Sequence, residues 1–164
     1  MTDSFFEIAQ RVCLDCGGRC CVEARPPLSE ERIQTLLEND VDEDSLEHMG
    51  YRRLRTRGDS FCIMFESGRC LIHSIKPETC VAGPFTFDVC QGRLRIFLKK
   101  ESICPLVAEL KKDQKAFRDQ YVLAVQNITR LILALPPMEL DIVCRIDEPE
   151  TEMVGEVHIP EMRK

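Results

Sequence analysis

The sequence predicts a small α+β domain, in which an irregular cysteine-rich half and two β-hairpins pack on a long C-terminal helical segment. Three observations indicate this class. Residues 13–21 read CLDCGGRCC, whose glycine pair favours a tight turn. Two later stretches alternate around turn residues, and residues 105–135 repeat apolar side chains at helical spacing. At 164 residues the chain is long enough for one domain with a hydrophobic core.

The first third of the chain predicts two helices and an acidic loop. Apolar side chains recur at helical spacing between residues 3 and 12, which predicts a short helix that leads into the cysteine cluster. After a proline pair, Ser29 is placed to cap a second helix that carries acidic residues in its first turn. An acidic loop at residues 40–44 and a short helix at residues 45–49 are expected to follow.

Two hairpins are predicted in the middle of the chain. The stretch DSFCIMFESGRCLIH alternates around a turn at Glu66-Ser67-Gly68, which places Cys62 and Cys70 on opposite strands. The stretch PFTFDVCQGRLRIFLKK turns at Gln91-Gly92. Between the hairpins, KPETC predicts one helical turn that begins near Pro77.

The last third predicts a long helical segment and a terminal strand. Residues 105–135 carry a broad apolar face, with a break expected near Asp113. The stretch ELDIVCRI (139–146) is typical of a strand, and an acidic tail follows it. We therefore divide the chain into a cysteine-cluster domain, 1–138, which includes the helical segment 105–135, and a terminal strand and tail, 139–164.

Charge and hydropathy limit the partners. The formal net charge is −6, of which −5 falls between Glu139 and Lys164, where eight acidic residues face three basic ones. The nearly neutral body argues against a nucleic-acid partner, since such proteins carry a basic footprint. The arginine-rich stretch YRRLRTRGD (51–59) is typical of a solvated strand or loop face. No segment approaches the roughly 18 apolar residues of a membrane helix, so no membrane partner is predicted.

The N-terminus lacks the features of a secretory signal, which predicts a cytoplasmic protein. In that compartment thiols are held reduced, so disulfides are disfavoured. Two interpretations of the clustered cysteines remain: a redox-active pair, and thiolate ligands for a metal. The C-x₂-C spacing of Cys13 and Cys16 brings two thiolates to one ion with little loss of loop entropy. Neighbouring side chains usually diverge, so Cys20 and Cys21 serve two metals, or two irons of one cluster, more readily than one mononuclear site.

At these residues the sequence resembles the cysteine-cluster family of zinc- or iron-chelating proteins, whose signature is C-x₂-C-x₂-CC, then C…G-x-C-x-I, [KR]-P-x-x-C and a further cysteine-proline. The resemblance covers roughly residues 13–106. Two departures are the three residues between Cys16 and Cys20, where the signature has two, and the VAGPF stretch after Cys80. The resemblance implies a metal-binding set of eight cysteines: Cys13, Cys16, Cys20, Cys21, Cys62, Cys70, Cys80 and Cys104.

The remaining candidate ligands are predicted to have structural roles. Cys90 and Cys144 lie in apolar, strand-like stretches outside the family pattern, and we expect packed thiols there. His73, three residues past Cys70, is expected to be a hydrogen-bonded structural residue, although it could support a ligand.

Three functions follow from these residues. The first is chelation of Zn²⁺ or iron by thiolates, and all-sulfur ligation fits both metals. The second is an iron–sulfur redox protein, or an accessory to a protein-modification reaction, since a flagellin lysine methylase is similar over the same cysteine region. The third is a thiol oxidoreductase that cycles Cys13 and Cys16. The motifs identify no reaction, and no protein partner is predicted.

Overall fold

A computed structural model describes residues 5–148 and 150–160, and these residues form a mixture of helices and small antiparallel sheets that confirms the α+β class. The helices are α1 (Phe5–Cys16), α2 (Glu30–Glu38), α3 (Glu78–Ala82), α4 (Leu106–Lys112), α5 (Gln114–Ala134) and α6 (Pro137–Cys144). The strands are β1 (Leu46–His48), β2 (Arg52–Leu54), β3 (Phe65–Glu66), β4 (Arg69–Cys70), β5 (Phe85–Cys90), β6 (Arg93–Lys99) and β7 (Thr151–His158). The sheets pair β1 with β2, β3 with β4, and β5, β6 and β7 in that order.

The larger hydrophobic cluster joins α5 to the three-stranded sheet. Ile128 and Leu131 of α5 are fully buried, as are Leu94 and Ile96 of β6. The helical segment is interrupted at Asp113, as predicted, and the side chain of Asp113 caps α5 by accepting a hydrogen bond from the Ala116 N–H at 3.0 Å. This cluster forms a scaffold against which the cysteine-rich half packs.

A second, smaller hydrophobic cluster lies in the cysteine-rich half. Its fully buried members include Leu28, Leu36 of α2 and Leu54 of β2. Cys62 is buried in the same cluster, and Cys21 and Cys70 pack against it. Three of the predicted ligands are therefore placed by apolar packing.

Several predicted elements are confirmed. Ser29 caps α2 by accepting a hydrogen bond from the Arg32 N–H at 3.2 Å. Both hairpins turn where expected, and Ser67 and Gln91 open the turns with positive φ, the backbone that two-residue hairpin loops require. The helical turn near Pro77 is α3.

Three predicted details are wrong. The helix expected at residues 45–49 is a 3₁₀ turn, Glu43–Ser45, followed by β1, because residues 46–48 pair with β2. Cys62 does not lie on a hairpin strand: β3 begins at Phe65, and Cys62 instead bridges to Thr56. Helix α1 continues to Cys16, so the first two cysteines are helical.

The terminal strand was expected at residues 139–146, which instead form most of α6. Pro137 occupies the first turn of this helix, a position that proline favours, and Leu140 and Val143 are buried at helical spacing. The strand is β7, which lies in the stretch predicted to be an acidic tail. Glu156 of β7 forms an ion pair with Arg93 of β6 at 2.6 Å, and Glu152 forms one with Lys111 of α4 at 3.5 Å. The division of the chain at residue 138 stays a prediction.

The arginine-rich stretch forms ion pairs within the fold. Arg53 contacts Glu47 at 2.9 Å, and Arg52 contacts both Glu30 and Glu139. Arg57 donates to the Phe65 carbonyl at 2.6 Å. Among residues 5–148 and 150–160, no helix has the length and apolar character needed to cross a bilayer.

Gly155 of β7 tests the packing of this strand on α5. A Cβ at Gly155 would overlap the Tyr121 ring, which packs edge-on against Phe85 at 5.7 Å between ring centroids. We expect Gly155→Ala to lower the free energy of unfolding by about 1–3 kcal/mol, as overpacked positions do. Gly58→Ala is the control, since no atom lies within 4 Å of a Cβ there. Equal effects of the two substitutions in urea titrations would contradict this packing.

Candidate metal centre

The end of α1 and the turn after it present the first four cysteines. Cys13 and Cys16 lie three residues apart on the last turn of α1 and therefore share a face. Gly17 and Gly18, at φ +70° and +77°, then reverse the chain. A 3₁₀ turn, Arg19–Cys21, carries the adjacent pair. The Cys21 N–H donates to the Gly18 carbonyl at 2.8 Å, which closes this turn.

Besides its positive φ, a second feature of Gly18 requires glycine at this position. A Cβ at this position would overlap the Phe65 ring, so the glycine lets the turn approach β3 closely. Phe65 in turn stacks on Phe61, with ring centroids 4.8 Å apart. This close approach brings the first cysteine cluster to the segment that contains Cys62 and Cys70.

Backbone hydrogen bonds fix Cys62 and Cys70 beside Cys21. The Cys62 N–H donates to the Cys21 carbonyl at 2.8 Å, and the Glu23 N–H donates to the Ser60 carbonyl at 2.6 Å. Cys70 pairs with Phe65 across the β3–β4 hairpin, and the Phe65 N–H returns to the Cys62 carbonyl at 2.9 Å. The sequence placed these cysteines on one hairpin, but their contact with Cys21 depends on pairing between distant segments.

A buried ion pair holds the segment that presents Cys80. Arg32 of α2 donates to one carboxylate oxygen of Glu78 through Nε at 3.2 Å and Nη2 at 3.0 Å, and to the Ile75 carbonyl at 3.1 Å. The Glu78 side chain is 3% exposed, so this pair is far less screened than the surface ion pairs. Sequence reasoning missed Arg32, because nothing in its local pattern indicates a partner 46 residues away.

Cys104 is placed between the first cluster and the larger hydrophobic core. Its N–H donates to the Lys100 carbonyl at 3.0 Å, and its side chain packs against the larger cluster. Helix α4 starts two residues later and contacts α1, which carries Cys13. Arg19 donates to the Ser102 carbonyl at 3.5 Å, which adds a link between the same two segments.

Burial and mutual repulsion raise the pKa of most of these thiols. Burial is the main cause for Cys13, whose pKa rises to about 11, and for Cys80, whose pKa rises to about 12. The pKa values of Cys62, Cys70 and Cys104 are also raised, chiefly by burial. In all five cases other cysteines of the set raise the pKa further, so the eight thiols lie close enough to repel one another once ionised.

Peptide N–H groups and two lysines lower the pKa of several of these thiols. At Cys62, Cys70 and Cys104 the peptide N–H two residues later acts on the sulfur and lowers its pKa. Lys76 lowers the pKa of Cys70, Cys80 and Cys13, and Lys99 lowers that of Cys104. These groups stabilise thiolate anions without fully offsetting burial.

Cys20 and Cys21 behave as a pair. A hydrogen bond between their side chains is the main cause that lowers the pKa of Cys20 and raises that of Cys21. Lys99 and Lys76 further lower the pKa of Cys20. The directions of the two shifts place the Cys21 thiol as the donor to the Cys20 sulfur, and a metal ion would replace this hydrogen bond with metal–sulfur bonds.

The donor set fits a soft metal in its chemistry. Thiolates favour Zn²⁺ and iron–sulfur clusters, and a cation would remove the repulsion that raises these pKa values. Within residues 5–148 and 150–160, however, no three His, Cys, Asp or Glu side chains already have an arrangement that could hold a metal ion. Coordination would therefore require side-chain movement within a cluster that the backbone has already assembled.

The remaining cysteines, Cys90 and Cys144, lie at the ends of β5 and α6, and His73 lies near Lys76, which also acts on Cys70 and Cys80. Cys144 packs against the larger hydrophobic cluster, and the Val89 N–H lowers its pKa while burial raises it overall. Cys90 ends β5, where it pairs with Arg93. All three histidines are exposed, and the pKa of His73 is lowered chiefly by Lys76.

The geometry around Cys13 does not favour a thiol oxidoreductase. Such enzymes place the reactive cysteine at a helix N-terminus, where the helix dipole stabilises the thiolate. Cys13 and Cys16 lie at the C-terminal end of α1, where the dipole disfavours an anion. Burial and neighbouring cysteines also raise the pKa of Cys13, which further disfavours a reactive thiolate there.

A comparison of Gly18→Ala with Gly17→Ala tests the close approach to Phe65. Both glycines have positive φ, so each substitution should lower the free energy of unfolding by about 1–2 kcal/mol through backbone strain. Only an alanine at Gly18 meets the Phe65 ring, whereas a Cβ at Gly17 has nothing within 4 Å. We expect a larger loss for Gly18→Ala in denaturant titrations. Equal losses would contradict the contact.

Comparison with known proteins agrees with this site. The sequence model of the CxxCxxCC family, described as "Putative zinc- or iron-chelating domain", matches residues 12–118. The match contains all eight predicted ligands together with Cys90, and it ends before Cys144. No curated protein and no solved structure matched the chain. Since the match covers well over half of the sequence, the chain belongs to the CxxCxxCC zinc- or iron-chelating family.

Proposed function

We propose that this protein binds zinc or iron through the thiolates of the eight clustered cysteines, in the reducing environment of the cytoplasm. The observation that carries the proposal is the convergence of these cysteines from four separate parts of the chain. The ligand set is Cys13, Cys16, Cys20, Cys21, Cys62, Cys70, Cys80 and Cys104.

The electrostatics of the thiols support a cation at this place. Cys62 is the one buried thiol of the set and Cys13 and Cys20 are exposed, but the thiols lie close enough that ionised neighbours raise the pKa of Cys13 and Cys80. A bound metal deprotonates the thiols it coordinates and supplies the missing positive charge. The metal then contributes to folding stability, as it does in other closed thiolate sites.

An iron–sulfur cluster is the second candidate. It is favoured by the all-cysteine composition of the proposed ligand set. All-cysteine ligation is the common arrangement for such clusters. The protein would then transfer electrons, or support a modification reaction of the methylase type.

Replacing single cysteines tests the proposal. In protein purified without oxygen, we expect Cys80→Ser to lose metal, because serine is a poor ligand for a soft site. Cys144→Ser is the control: it should keep its metal and lose only about 1 kcal/mol of stability through packing. Elemental analysis measures the metal content. A visible absorption that bleaches on reduction would identify iron–sulfur, whereas zinc protein is colourless.

Two results would contradict the proposal. One is wild-type protein that is fully folded and contains neither zinc nor iron. The other is Cys80→Ser protein with unchanged metal content.

A further inference from the structure

Helix α6 is buried on one side and leaves an apolar stripe exposed on the other. Leu140 and Val143 pack into the larger hydrophobic cluster, whereas Met138 and Ile142 remain exposed. Residues four positions apart are neighbours along a helix surface, so Met138 and Ile142 lie on one face. The Ile146 N–H donates to the Val143 carbonyl at 3.2 Å, so the chain turns once more beyond α6 and places the exposed Ile146 next along this stripe.

The loop before β2 widens this stripe into a patch. A Cβ at Gly50 would come within 2.9 Å of Ile142 Cδ1, so the Met49–Gly50 segment lies against α6. Met49 is 60% exposed, and Met138, at 82%, is the most exposed large apolar side chain among the described residues. Single exposed apolar side chains are common, but several together on one surface mark an interaction site. We call this surface, formed by Met49, Met138, Ile142 and Ile146, the α6 patch.

One flank of the stripe carries charges of both signs. Asp141 and Arg145 form an ion pair at 2.7 Å along the helix, and both side chains are largely exposed. When two copies of a helix pack antiparallel about a two-fold axis, residue i of one copy contacts residue j of the other, and j contacts i. Asp141 of each copy then lies beside Arg145 of the other. A parallel pair of helices would instead place each charge beside its own copy.

The two ends of α6 are complementary in the same arrangement. No side chain caps the N-terminus of α6, where the helix dipole places partial positive charge. At the other end, Asp147 and Glu148 are exposed directly after Ile146. An antiparallel copy brings these two carboxylates to the N-terminal end of its partner helix. The apolar stripe and the charges around it therefore both match a second copy of this chain.

We infer that the α6 patch is the interface of a symmetric dimer in which the α6 helices of two copies pack antiparallel. Ile142 meets its own copy at the two-fold axis, and Met138 of each copy contacts Ile146 of the other. Because α6 has only eight residues, the interface is small and the association is weak and reversible. The patch contains none of the eight clustered cysteines, so this dimer does not depend on the proposed metal binding.

Sedimentation velocity of the full chain tests the interface, at physiological salt, with a reducing agent, and from micromolar to millimolar protein. Wild-type protein should show a reversible monomer–dimer equilibrium. Met138→Glu places a carboxylate against Ile146 of the other copy and should raise the dissociation constant at least about tenfold. Because the Met138 side chain is largely exposed, this variant should keep the circular dichroism of the wild type.

Val122→Glu is the matched control. Val122 is an exposed apolar residue of α5 that lies roughly 18 Å along the helix from its C-terminal end, and so away from α6. This substitution should leave the dissociation constant unchanged. Wild-type protein that stays monomeric at millimolar concentration, or equal weakening by the two substitutions, would overturn the inference. A wild-type chain that contains neither zinc nor iron would contradict the proposed function and leave the expected dimer unchanged.

Charge reversal tests the antiparallel alignment. Arg145→Asp makes the charged flank wholly acidic and Asp141→Arg makes it wholly basic, so each variant should associate with itself less tightly than wild type. An equimolar mixture of the two variants should associate about as tightly as wild type. A mixture that associates no better than either variant alone would rule out this contact. A mixture that associates more tightly than wild type would rule out the antiparallel alignment, because only in a parallel pair do wild-type chains oppose like charges.

Discussion

The structure depends on how eight neighbouring thiols are kept together. Burial raises the pKa of Cys13, Cys62, Cys70, Cys80 and Cys104, and ionised neighbouring cysteines raise it further. Three peptide N–H groups and two lysines lower these pKa values, but most remain raised. The cluster is therefore stable either as neutral thiols or as thiolates bound to a cation. In the second state the cation offsets the negative charge of the thiolates, and membership of a zinc- or iron-chelating family agrees with this state.

The rest of the fold holds the cysteine-bearing segments close to one another. Helix α5 and the three-stranded sheet form a core to which Cys104 alone of the eight clustered cysteines is packed. The smaller core holds Cys62, and Arg32 holds the segment before Cys80 through a buried ion pair. Removing one partner of such a pair typically costs about 3–5 kcal/mol, because the other charge is left buried. Helix α3, which carries Cys80, joins the scaffold to the cysteine cluster: Ala82 is buried in the larger core, and Gln120 of α5 donates to the Val81 and Gly83 carbonyls at 3.0 and 2.8 Å.

Local sequence patterns predicted much of this fold and the residue types of its site. Caps, turns and helical spacing are local, so Ser29, the Gln91-Gly92 turn and the break at Asp113 could be recognised directly. The strand β7 could not, because it is stabilised by pairing with β6 about 60 residues earlier and carries Glu152 and Glu156, a residue type that is depleted in strands. The contacts among the cysteine segments depend likewise on pairs that are distant in sequence, such as the Cys62 N–H with the Cys21 carbonyl and α1 with α4.

The central claim is that metal coordination completes the cysteine cluster. Amide hydrogen exchange of the reduced chain, with and without an excess of Zn²⁺, tests it most directly. If metal coordination completes the cysteine cluster, Zn²⁺ should slow exchange at Cys21, Cys62, Phe65 and Cys104, whose N–H groups are hydrogen-bonded around the site. Exchange in the buried centre of α5, around Ile128 and Leu131, should change little, because these residues are fully buried within the larger hydrophobic cluster. Exchange at the cysteine segments that is the same with and without Zn²⁺ would contradict the account.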